Sequence, residues 1–175
     1  MTIRTWVGRF SIVEGQVREE GPWLGAFRRQ LPDDDSRDLY VLVDPALPGS
    51  EEFCGQLVEV VGRLFQREAL SMTGALLRSL RAAHENLRDW NRKSLAQHQV
   101  AAGATCLLLR DRTAYLAQVG PSLAYFYRNG HLETITPQEE SAQAPLGLAE
   151  EFRADVTRYD LEPGDLLLQI GRAHV

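Results

Sequence analysis

The chain has 175 residues, 44% hydrophobic and 25% charged, with a net charge of −5. That is enough for one domain with a substantial core, in an ordinary soluble globular composition. The acidic balance excludes a bulk electrostatic partnership with nucleic acid, which needs a basic face to displace counterions. Two cysteines, Cys54 and Cys106, cannot build a disulfide framework and fit core packing in a reduced protein. No segment approaches the roughly 20 apolar residues of a membrane helix, and the amino terminus has no signal-peptide core. A cytoplasmic protein without nucleic-acid or membrane partners is expected.

In the first thirty or so residues, Trp6, Phe10, Ile12 and Val13 suggest one or two short strands, punctuated by Gly15, Gly21-Pro22 and Gly25. Asp33-Asp34-Asp35 reads as a solvated loop, because adjacent acids repel and lack the convergent geometry of a metal site. Leu39-Tyr40-Val41-Leu42-Val43 is β-branched and aromatic, a buried strand that delivers Asp44 to a loop at Pro45. Ser50 is placed to cap a helix, with Glu51 and Glu52 in its first turn. Phe53, Leu57, Val60, Val61, Leu64 and Phe65 then form an amphipathic stripe. A second helix is predicted from Ser71 to about Gln97, with Leu76, Leu80, Ala83, Leu87 and Trp90 on its apolar face. His84 and His98 fall on that helix too far apart to share a metal and read as surface positions; His131 reads as exposed. Two one-sided helices need something flat to cover, and a sheet is the natural partner.

Strands follow over 104–110, 113–119, 122–128 and 131–136, joined as a meander with two-residue turns at Asp111-Arg112 and Asn129-Gly130. A further strand pair, 152–161 and 166 onward, is predicted around Glu162-Pro163-Gly164-Asp165. One strand, two helices and an antiparallel meander make the fold class α+β.

Gly103-Ala104-Thr105-Cys106 and Val119-Gly120-Pro121-Ser122 carry a family resemblance. They are similar to Gly-Ser/Ala-Thr-Ala and Val-Gly-Asp-Ser-Arg-Ala-Tyr in the central sheet of the PPM-type (type 2C) metal-dependent protein serine/threonine phosphatases. Leu39 to Asp44 resembles that family's strand ending in Asp-Gly-Met-Gly-Gly. Pro145-Leu146-Gly147, Tyr159-Asp160-Leu161 and Pro163-Gly164-Asp165-Leu166-Leu167-Leu168 resemble the run before its Ser-Asp-Gly metal motif. The resemblance implies an α-β-β-α sandwich of two antiparallel sheets flanked by helices, incomplete at the C-terminus. It implies a single phosphatase-like domain over 1–168. Residues 169–175 are expected to be a non-native tail, since Ile-Gly-Arg-Ala-His-Val is what a common sequencing adapter encodes.

In that family two Mn or Mg ions activate water for attack on a phosphomonoester, and hard cations need converging oxygen ligands. The resemblance assigns the metal ligands Asp44, through its carboxylate, and Pro45, through its carbonyl where the family has Gly. Pro121 stands in place of an acid, a degenerate site position, and Leu123 in place of Arg. Arg28, Arg29 and Arg37 are the candidates for a phosphate-binding Arg, although none sits in a matching motif. An aspartyl-nucleophile pair is absent because Ala46 occupies its second position, and no nucleophile elbow, phosphate loop or zinc motif occurs. The expected function is a pseudophosphatase, a binding or regulatory module for a phosphoprotein or protein kinase. The alternatives are an active Mn- or Mg-dependent phosphatase and an unrelated α+β binding domain.

Overall fold

A computed structural model describes residues 4–171, apart from 14, 20, 31–35, 69, 70 and 139. The run Asp33-Asp34-Asp35 and residues 172–175 of the expected tail therefore lie outside the described residues. A small hairpin comes first, β1 (Ser11–Val13) against β2 (Gln16–Arg18), where short strands are predicted. Strands β3 (Leu24–Gln30) and β4 (Ser36–Pro45) lead into helices α1 (Glu51–Arg67) and α2 (Met72–Lys93). Six strands follow: β5 (Ala102–Arg110), β6 (Thr113–Val119), β7 (Leu123–Arg128), β8 (His131–Ile135), β9 (Asp155–Asp160) and β10 (Leu166–Ile170).

A five-stranded antiparallel sheet in the order β3-β4-β5-β6-β9 forms the centre. Its two faces follow from the period of two along each strand. Leu39, Val41 and Val43 of β4, with Ala102, Ala104, Cys106 and Leu108 of β5, pack against the helices. The helices answer with Leu57, Val61 and Phe65 from α1 and Leu76, Leu80, Ala83 and Leu87 from α2, all buried. Each large aliphatic buried there contributes about 1.5–3 kcal/mol of transfer free energy. Trp90 closes the stripe differently: it stays half exposed, with its ring edge on Phe53 at 5.0 Å between centroids.

The opposite face packs on a three-stranded sheet, β10-β7-β8. Leu107, Leu116, Ala124, Phe126 and Ile135 fill that second core, flanked by Tyr40 and Tyr159. The layers are thus helix, sheet, sheet, a mixed α+β sandwich. Among the described residues no α-helix covers the outer face of the three-stranded sheet, where Tyr127, Leu132, Leu166, Leu168 and Ile170 are exposed.

Two expectations about strand partners are corrected. The predicted meander is broken at Gly120-Pro121, where the chain leaves the central sheet after β6 and enters the other at β7. Gly120 has φ +68° there, and its N–H donates to the Ala142 carbonyl at 2.7 Å. The strands around Glu162 to Asp165 do not pair with each other either: β9 pairs with β6 and β10 with β7. That turn hands the chain from one sheet to the other, pinned by Arg128, which clasps Asp165 through two bonds of 2.8 and 2.5 Å and the Asp160 carbonyl at 2.7 Å. The Asn129-Gly130 turn has positive φ at both residues, as the hairpin of β7 and β8 requires. Strand β10, predicted from Leu166 onward, runs through Ile170.

Candidate metal centre at the end of the fourth strand

Asp44 lies opposite Gly103 in the β4–β5 ladder, and Pro45 opposite Ala102. Alternation places Asp44 on the same face of β4 as Tyr40 and Leu42, toward the second sheet, and it is only 5% exposed. The Ala46 N–H donates to the Ala101 carbonyl at 2.8 Å, so pairing persists one residue past the strand. Pro45 is accordingly a buried strand residue, where the resemblance implies an open ligand loop. The chain then folds back tightly, Ser50 N–H to the Leu47 carbonyl at 3.2 Å, with Gly49 at φ +82°.

The Ser50 hydroxyl does not cap α1, contrary to the sequence expectation. Its Oγ accepts instead from the Ala101 N–H at 3.0 Å, satisfying a buried amide before β5. Below it, the Cys54 thiol donates to the Ser50 carbonyl. Burial, aided by the charges of Asp44 and Glu51, pushes the Cys54 thiol up to about 12. Burial alone does the same to Cys106. Both thiols stay protonated near neutrality and act as packing groups.

Three other positions converge on Asp44. The Pro121 carbonyl passes so close to Gly103 that a Cβ built there would lie 2.6 Å from its oxygen. Gly103 is therefore a close-approach glycine, not merely a strand opener. At the end of β10, a Cβ on Gly171 would lie 2.7 Å from Asp44 Oδ1. Leu123 begins β7 directly opposite Ile170. Asp44, Gly103, Pro121 and Gly171 thus meet at one edge of the two sheets; the resemblance implies a shared site for Asp44 and Pro121, whereas nothing in the sequence points to Gly103 or Gly171 there.

Among the described residues the donor set there does not fit two hard cations. Asp44 brings one carboxylate, Pro121 and Gly171 bring no side-chain oxygen, and Pro45 is tied into the ladder. Among the described residues no three of His, Cys, Asp and Glu are grouped to hold a metal ion. The candidate phosphate arginines lie elsewhere. Arg28 is paired with Asp38 at 2.6 and 3.0 Å, and Arg29 donates to the Glu68 carbonyl. Asp38 and Arg37 sit at the far end of β4, roughly 20 Å from Asp44 at the rise of an extended strand.

The histidines separate. His98 falls in a short 3-10 turn beyond α2, which ends at Lys93 and not near Gln97. His131 is exposed, as predicted. His84 is not a surface residue: it is 3% exposed, and its Nδ1 accepts from the Gly147 N–H at 3.2 Å. Two turns further along α2, Asn91 donates to the carbonyls of Val100 (2.8 Å) and Gly147 (3.0 Å) and accepts from the Val100 N–H (2.8 Å). The Pro145-Leu146-Gly147 turn is thereby buttoned to α2, and Leu146 in turn bridges Ala102.

The stacked sheets with the helix pair on one face define the fold class of a PPM-type phosphatase domain. Within it, the sequence profile of Stage II sporulation protein E (SpoIIE) matches residues 55–170, and the chain belongs to that family. Solved structures share the fold at low identity. A bacterial serine phosphatase carrying a point substitution superposes with a TM-score of 0.67 at 17% identity, covering 91% of this chain and 73% of that one. The serine/threonine phosphatase of S. agalactiae gives 0.67 at 12%, covering 93% and 76%. That of Mycobacterium tuberculosis, PstP/Ppp, gives 0.64 at 17%, covering 93% and 76%. No curated protein sequence matches the chain significantly. No helix among the described residues is long and apolar enough to cross a membrane.

Proposed function

We propose that the chain is a pseudophosphatase, a PPM-type sandwich that works in the cytoplasm as a binding or regulatory module toward a phosphoprotein or protein kinase. The observation that supports it is the donor set at the sheet edge: one buried carboxylate, Asp44, beside Pro121 and Gly171. Two-metal activation of water needs several convergent side-chain oxygens, and among the described residues one carboxylate stands at this edge.

One observation favours the second reading, an active Mn- or Mg-dependent phosphatase. The position after β10, where the resemblance expects the Ser-Asp-Gly motif, lies against Asp44. If residues 169–175 are the adapter-derived tail and 1–168 the native domain, Gly171 stands where a native ligand belongs. Resequencing the gene tests that point, and a native sequence ending in these same codons would exclude it.

Calorimetric titration with Mn²⁺, alongside hydrolysis of p-nitrophenyl phosphate, separates the two. The pseudophosphatase predicts no turnover and no binding heat at millimolar Mn²⁺. Metal-dependent turnover that disappears in Asp44→Ala would overturn it.

A further inference from the structure

We propose that His84 is an acid-sensitive latch: while neutral it holds segment 145–152 on α2, and its protonation releases that segment. The geometry fixes the tautomer. Because Nδ1 accepts from the Gly147 N–H, the ring proton must sit on Nε2. A second proton would go to Nδ1, which then faces the amide as donor against donor and loses the bond.

The surroundings make that second proton costly. The ring is buried. Arg88 and Arg81, both on α2, oppose a positive charge, while Glu85 on the same helix and the Ala149 carbonyl favour it. Burial dominates, so the imidazole is held below its ordinary range. From the facing segment come the Phe152 ring, 5.8 Å from the imidazole between centroids, and the Glu150 carbonyl, which accepts from Arg88. Arg81 lies over the same Phe152 ring at 5.4 Å, and Glu151 of the segment pairs with Arg153 just beyond it at 3.3 Å. Both guanidiniums next to the histidine are therefore engaged by the very segment it latches.

Release has a path to the sheet edge. Leu146 and Ala102 exchange backbone hydrogen bonds at 2.8 and 3.2 Å, and Ala102 lies opposite Pro45. Opening the latch strips the outer support from the ladder that holds Asp44. The inference does not depend on whether the domain is catalytic.

Hydrogen exchange of segment 145–152 tests it, in wild type and in His84→Asn, whose Oδ1 replaces the Nδ1 acceptor but does not titrate. Rates are corrected for the intrinsic pH dependence of exchange. In wild type the opening constant should rise by up to tenfold per pH unit below about pH 6.5, levelling off below the depressed value. In His84→Asn it should stay flat. An equal pH response in both proteins would overturn the latch. If the variant fails to fold, ring nitrogen shifts of the wild-type protein decide. A neutral Nε2–H form near pH 7, lost in step with Gly147 amide protection, supports the proposal; protonation of His84 with Gly147 still protected overturns it.

Discussion

Gly103 governs the sheet edge at the scale of single residues. Its missing side chain is the space through which the Pro121 carbonyl passes, so any larger residue pushes the β6–β7 crossing away from β5. Gly103→Ala is expected to destabilise the domain by about 1–3 kcal/mol, read from urea unfolding, as overpacking of a tight contact does. Asp44 was legible because it ends an apolar, β-branched run. Pro121 was tied to it only through the family resemblance, and Gly103 and Gly171 by nothing in the sequence, because they reach it through pairings distant along the chain. Ser50 misled for a related reason: its residue type and position suit a cap, but a buried amide of Ala101 competes for the same oxygen and wins. His84 sits on a helix face whose burial depends on a segment that packs there from far along the chain.

Among the elements, α2 carries the most connections. Asn91 alone satisfies three buried backbone groups, on Val100 and Gly147. Asn91→Ala should cost about 2–4 kcal/mol, since truncation leaves those groups unpaired, and thermal or urea unfolding reads it directly. Helices and hairpins were readable from the sequence because their signals are local: an apolar stripe at helical spacing, Asn-Gly between two strands. Sheet membership was not. The Glu162–Asp165 turn looks like any hairpin until Arg128, from another strand, takes hold of it. The hydrogen bond from Arg128 holds the Asp165 carboxyl below the usual carboxylate range, against the opposing effect of burial. Its contribution is fully present above about pH 3.9 and is lost as pH falls through the lowered value. Asp165→Asn should lower stability at neutral pH and narrow the gap to wild type in strong acid, which unfolding measured across pH checks.

At the scale of the whole molecule, the described α-helices both cover one sheet, and among the described residues none covers the outer face of the other. Leu132, Leu166 and Leu168 are exposed apolar residues on the three-stranded sheet, and β10 is its edge strand. Such an edge invites association with another chain. The double variant Leu132→Lys, Leu168→Lys should reduce self-association, seen by light scattering, while shifting the unfolding midpoint by little, since neither side chain fills a core. The crossing from β9 to β10 has a further consequence, in time. Strand β10 reaches β7 across β8, β9 and the turn at Glu162, a non-local pairing that is expected to close late in folding. The clasp of Arg128 on Asp165 is then expected to form after the folding barrier is crossed. Asp165→Asn should accordingly hasten unfolding and leave the folding rate nearly unchanged, making the turn between the sheets the lock that sets the lifetime of the folded chain.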